Sequence, residues 1–139
     1  MNSLKTVLLL GSLNLDLSQK GLGAAVEKLY PAKAAAWIET HRKPGPILNH
    51  YNWGGYLLWR LPDYPVSIDG RTYVYASEFI QHSARMWNGA PGWEADPEIA
   101  RASVVVGSLE HPLVVLLARD ARFERAYEDA VSAVYVRKE

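Results

Sequence analysis

"ASVVVGS", residues 102–108, is an unbroken β-branched run flanked by turn residues. No polar residue interrupts Val104, Val105 and Val106, so neither face of this segment is set toward water. Such a run reads as a central strand covered on both faces, as in a sheet packed between helices. Two further short strands are expected upstream. "ILN" at 47–49 follows the breaker "KPGP" at 43–46, and "PVSID" at 65–69 is punctuated by Gly70. Helical periodicity surrounds them. After Pro31, which suits a first helical turn, Ala34, Trp37, Ile38 and His41 recur at i, i+3, i+4 and i+7. Trp53, Tyr56, Leu57 and Arg60 share a face of a second helix, capped by Asn49 or Asn52 and stopped by Pro62. Leu58 and Trp59 widen its apolar surface, so burial on more than one side is expected. Phe79, Ile80, Ala84 and Trp87 stripe a third helix, with Ser77 as its cap and Gly89 as its end.

Downstream of "ASVVVGS", His111 and Pro112 open a helix carrying Leu113, Leu116 and Leu117. Asp96–Pro97 marks a helix restart just upstream of it. "RFERAYEDAVSAVYVRK" reads as a hairpin around Glu128 and Asp129, with Phe123, Arg125 and Tyr127 alternating along the first strand and Val134 and Val136 sharing a face of the second. Strands alternating with helices imply parallel β-α-β units. The expected fold class is therefore α/β: a small three-layer α/β/α domain with a mixed, mostly parallel sheet and a C-terminal β-hairpin. At 139 residues, 49% of them hydrophobic, the chain can build one core without disulfide or metal staples. Residues 30–139 are expected to form that domain and residues 1–29 an N-terminal arm or linker. In that arm Leu13, Leu15 and Leu17 alternate as in an extended segment, and Gly21 and Gly23 loosen the chain. Asn14 and Asp16 interrupt the signal-peptide-like start, and no window reaches the ~18 apolar residues of a membrane span.

Several chemistries lack their motifs. Lys plus Arg balances Asp plus Glu at 15 each with no basic stripe, which argues against nucleic acid as a partner. The chain has no cysteine, so thiol catalysis is excluded. "GLGAAV" at 21–26 begins like a dinucleotide fingerprint, but Val26 stands where the third glycine belongs. His41, His50, His82 and His111 show no metal-ligand spacing and could converge only through tertiary structure. Ser108, Glu110 and His111 contain the residue types of a triad, yet neighbours in a turn rarely present them in working order. No catalytic residue, metal or cofactor is assigned.

The candidate ligand site is Asn49, Asn52, Trp53, Asp69, Arg71 and Tyr73, with Tyr51 as a further wall. Asn49 and Asp69 each close a strand, and ligands of open α/β sheets sit at the strands' carboxyl edge. The N–H groups opening the second helix would face the same edge and suit an anion. The structural alternative assigns the same residues to the scaffold. Gly54, Gly55 and Gly70 permit close approach and turning, Asp69 and Arg71 pin a loop to each other, and the aromatics fill the core.

An ordered set of motifs carries a family resemblance. It comprises "YP-K-A" at 30–34, "N-YNWGGYL-WRLP" at 49–62, "IDGR---Y" at 68–75, "GW" at 92–93 and "YED--V-V-VR" at 127–137. Together these resemble the soluble C-terminal domain of bacterial multi-spanning membrane proteins similar to polyprenyl-phosphate-sugar-dependent glycosyltransferases of the GT-C-like type. The resemblance implies an extracytoplasmic domain whose parent protein sits in the inner membrane. It implies sugar-transfer chemistry in the membrane portion and a non-catalytic accessory role here. The implied partners are that membrane portion and a polyprenyl-phosphate sugar, glycan or peptide acceptor. Gly55 and Tyr56 also match the end of the W-W-D-x-G-Y motif of oligosaccharyltransferases, but Tyr51, Asn52 and Trp53 replace its tryptophans and aspartate, so sequon recognition is not carried over. The alternative is a free-standing small ligand- or nucleotide-binding α/β protein.

Overall fold

The computed structural model describes residues 18–139; the Leu13, Leu15 and Leu17 alternation lies outside them. Among the described residues, six α-helices and four strands follow one another: α1 (Gln19–Leu29), α2 (Ala32–His41), β1 (Ile47–Asn49), α3 (Tyr51–Arg60), α4 (Ser77–Trp87), α5 (Pro97–Arg101), β2 (Val104–Ser108), α6 (Pro112–Leu117), β3 (Phe123–Glu128) and β4 (Ser132–Arg137). The strands form one mixed sheet in the order β1-β2-β4-β3.

"ASVVVGS" supplies the middle of this sheet. β2 pairs with β1 in parallel and with β4 in antiparallel fashion, and Val104, Val105 and Val106 are fully buried. Its residues alternate between two cores, as the two-residue strand period requires. Val104 and Val106 pack with Val134, Val136, Ile38 of α2, and Trp53 and Leu57 of α3. Val105 packs on the other side with Tyr135, Trp87 of α4, and Leu113 and Leu117 of α6. Helices on both faces of one sheet give three layers.

The sheet is not mostly parallel. Only β1 and β2 run parallel, whereas β2–β4 and β4–β3 are antiparallel. Two causes act together. The hairpin inserts its second strand beside β2, placing β4 in the interior. The "PVSID" segment then contributes one isolated parallel bridge, Ile47 to Val66, and not a full strand.

Local details also depart from periodicity. A bulge between Arg125 and Tyr127 offsets β3 by one residue. Phe123 therefore enters the core beside Trp87, while Tyr127 turns to the opposite face and tilts against Trp37 at 6.0 Å. Leu58 and Trp59 are exposed, Trp59 by 75%, so α3 is buried along one stripe only. The caps shift as well. His50 caps α3 through its ring nitrogen, which accepts from the Asn52 N–H at 3.3 Å, and Ala76 precedes α4. Ala84 of α4 is exposed, and Ser83 and Met86 are buried in its stead. Gly21 and Gly23 lie inside α1 and do not loosen the chain.

Candidate functional site

β1 ends at Asn49, and the 67–71 segment passes beside it. Asn49 is fully buried, and each end of its amide is used. Nδ2 donates to the carbonyls of Ile68 at 2.8 Å and His50 at 3.0 Å, while Oδ1 accepts from the Ser67 N–H at 3.1 Å. The Ser67 hydroxyl donates to the Asn49 carbonyl at 3.3 Å. Asn49 thus substitutes for a missing strand ladder: it ties β1 to a neighbour that pairs only at Val66.

Farther along that segment, Asp69 is 2% exposed and faces Arg71. Its carboxylate accepts from the Arg71 backbone N–H at 2.9 Å, from Nε at 3.0 and 3.1 Å and from Nη2 at 2.7 Å. The guanidinium beside it, with the Arg71 N–H, holds the Asp69 carboxyl below the ordinary range against the opposing effect of burial; the Arg71 pKa is raised in return. Asp120 and Arg122 repeat the arrangement at the start of the hairpin, with N–H, Nε and Nη2 contacts of 2.9, 3.0 and 2.7 Å. No site was expected there. A D-x-R turn that closes on itself in two unrelated loops is a scaffold device of this chain.

The remaining predicted residues divide between inside and outside. Trp53 points away from the carboxyl edge into the α2/α3 core, where its indole N–H donates to the Leu29 carbonyl at 3.0 Å. Asn52 is exposed and Tyr73 is 84% exposed, on a 3-10 turn at Thr72–Val74. The Tyr51 hydroxyl donates to the Gly70 carbonyl at 3.2 Å. The start of α3 has no room for an anion at Gly54. A Cβ there would lie 2.6 Å from Asp69 Cα and nearer still to the Ile68 oxygen. Gly55 and Gly70 face open space, so the close-approach role belongs to Gly54 alone.

Sequence reasoning missed a second cluster at this edge. His50 follows β1, His111 follows the turn after β2, and the two rings stack at 4.1 Å. Trp87 sets its edge against both, at 5.8 and 5.5 Å. Finding it required the parallel pairing of β1 with β2, in which Asn49 stands opposite Val106 and the turn after Ser108 brings His111 back to the same edge. Burial, then the neighbouring His111, lowers the His50 pKa from 6.5 to about 4, and burial also lowers that of His111. Both rings are therefore neutral at pH 7. Among the described residues, Trp87 Nε1 and His111 Nδ1 are buried without a hydrogen-bond partner. Ser108 and Glu110 make a turn here: Ser108 Oγ accepts from the Glu110 N–H at 3.3 Å. No group of three or more side chains among the described residues could hold a metal ion.

An imidazole kept neutral in the fold but free to protonate when unfolded contributes stability at neutral pH. That contribution is lost as pH falls from about 6.5 toward 4. The lowered carboxyls of Asp69 and Asp120 contribute stability above their unfolded value of 3.8 and lose it as pH falls through their folded values below that. Acid denaturation should therefore begin with the histidines and finish with the carboxylates. His50→Asn, which keeps a capping side chain, should flatten the stability curve between pH 6.5 and 4. Urea midpoints across that range check this, and identical slopes in both proteins would contradict it.

A cavity of about 250 Å³ opens elsewhere, by the amino end of β1, lined by Pro46, Ile47, Val66, Phe79, Glu98 and Arg101 among others. None of the predicted site residues lines it, and Glu98 and Arg101 pair with each other. No helix among the described residues is long and apolar enough to cross a membrane. Compared with family models, curated proteins and solved structures, the chain matches none.

Proposed function

We propose that this chain is a non-catalytic accessory domain of a membrane glycosyltransferase-like protein, contributing to acceptor or lipid-linked sugar binding. The motif resemblance motivates the reading. The observation that carries it is the mutual neutralisation of Asp69 and Arg71, with Asn49 fully bonded beside them. The polar groups at the end of β1 and in the 67–71 segment are committed to holding the loop, not to proton transfer. Asn52 in the first turn of α3, and Arg71 and Tyr73 of the loop, are exposed. An exposed aromatic ring near a cation suits a sugar or a sugar phosphate.

Free-standing nucleotide binding is the weaker reading, because the Gly21–Gly23 segment is helical and makes no phosphate-binding turn. Two measurements test the proposal. Titration of glycans and polyprenyl-phosphate sugars should show weaker binding to Tyr73→Ala and Asn52→Ala than to the parent, with unchanged melting. Equal binding in all three, or none in any, removes the binding role. Turnover of an activated sugar by the purified chain would remove the non-catalytic role.

A further inference from the structure

Among the described helices of ten or more residues, α1 buries no residue at all. Leu22, Val26 and Leu29 stand at i, i+4 and i+7 on one face and are 51%, 37% and 66% exposed. The face does not end with the helix. Tyr30 follows Leu29 and stacks on Tyr56 at 5.1 Å, and Tyr56 leans on Trp59 at 5.9 Å. The Trp53–Leu29 hydrogen bond holds the end of α1 against α3. An aliphatic stripe and an aromatic step thus run continuously from α1 to Trp59. A contiguous apolar face of this kind marks an interaction surface.

Its chemistry selects the partner. Tyr30, Tyr56 and Trp59 combine an apolar ring with a polar edge, the property that places such residues at the headgroup level of a bilayer. Arg60, beside Tyr56, is taken up by Glu39 at 2.9 Å, whereas Lys20 and Lys28 lie off the stripe on the polar side of α1. Cations so placed can reach anionic headgroups while the stripe enters the acyl boundary. The sequence preceding α1 adds to this. It carries "TVLLL" at 6–10 and "LNL" at 13–15 and runs directly into Ser18, the cap of α1. We propose that α1 and the Trp59 face of α3 form a docking face for an anionic lipid surface, with α1 lying along the headgroup boundary. The inference rests on the reading of this chain as a domain beside a membrane, but it uses neither the carboxyl edge nor a sugar. Its failure is therefore separable from failure of the binding role.

The test is co-flotation of the full chain with vesicles of phosphatidylcholine alone and of phosphatidylcholine mixed with phosphatidylglycerol. The chain should float with the mixed vesicles and less with the neutral ones. The double variant Leu22→Glu/Val26→Glu, and separately Trp59→Ser, should each lower partitioning roughly tenfold. Val115→Glu, which alters an exposed apolar residue of α6 away from this face, should change nothing. Absence of flotation overturns the proposal. So does flotation indifferent to the α1 and Trp59 changes but abolished by Leu8→Asn/Leu9→Asn, which would assign binding to the preceding segment. A dimer in sedimentation that Leu22→Glu/Val26→Glu splits, with no vesicle binding, would also overturn it by assigning the face to a second copy.

Discussion

Gly54→Ala should unfold the domain or cost it on the order of 3–5 kcal/mol, whereas its neighbour Gly55→Ala should be neutral or stabilising by up to about 1 kcal/mol. The two glycines are adjacent in one helix, so propensity predicts the same benefit for both. Packing separates them. The new methyl at 54 would lie 2.6 Å from Asp69 Cα and 2.7 Å from the Ile68 carbonyl carbon. These are backbone atoms, and no rotamer change can move them aside. Either α3 retreats from the 67–69 segment, or that segment leaves Asn49. At 55 nothing lies within 4 Å of the methyl, and the helix gains a better former in place of glycine. Chemical denaturation of the two variants checks the contrast. Equal effects at 54 and 55 would show that α3 does not press on the segment after Val66.

Asn49→Ala should cost about 2–4 kcal/mol, because it strands the buried Ile68 carbonyl and removes the other bonds of the amide with it. The buried Ile68 carbonyl loses its donor at 2.8 Å, while the Ser67 N–H loses one of two acceptors and keeps the Ile47 carbonyl at 3.0 Å. A lost contact matters less than the unsatisfied groups left behind. Asn49→Asp isolates the donor role, since it keeps the shape but a carboxylate cannot donate to Ile68. It should be destabilised at neutral pH and recover partly on acidification, when the protonated acid can donate again. The sign follows from a carboxyl pKa raised in the fold: the stabilised form is the protonated one. Urea denaturation at neutral and mildly acidic pH measures this. An Asn49→Asp variant indifferent to pH would mean that Nδ2 carries no weight.

These two joints explain why the stretch from Asn49 to Tyr75 is so rich in unusual residues. β1 has three residues, and the segment beside it contributes one bridge. Amide, glycine and D-G-R turn then supply the fixing that a longer ladder would give. The aromatics take separate roles. Trp53 fills the core, Tyr51 ties Gly70, and Tyr73 stands in solvent.

Where a local pattern is decisive, the sequence was readable. The β-branched run at β2, the Leu113 and Leu117 faces of α6, and the Asp96 cap before Pro97 follow from neighbours alone. The fold class followed from them. Pairing across the sheet was not local. A bulge at β3 turned Tyr127 to the other face, and the placement of β4 beside β2 made the sheet mainly antiparallel. Apolarity could not tell buried Leu57 from exposed Leu58, since tertiary contacts decide which stripe of α3 is covered. At the candidate site, the sequence brought Asn49, Asp69 and Arg71 to the right edge of the sheet. It left open whether they serve a ligand or each other, because that depends on an ångström-scale fit. The repeat of D-x-R at Asp120 and Arg122 was the legible hint. The meeting of His50 and His111 required the parallel register of β1 and β2.

The carboxyl edge is a joint only if Asp69 and Arg71 face each other. The direct measurement is an NMR pH titration of the Asp69 carboxyl carbon in the parent chain and in Arg71→Met. The prediction is a carboxyl that titrates below the ordinary aspartate range in the parent and moves upward once the guanidinium is removed, as burial then acts with less opposition. An Asp69 that titrates normally in the parent, or that ignores Arg71→Met, would contradict it. The pair would then have to be reassigned from joint to ligand site.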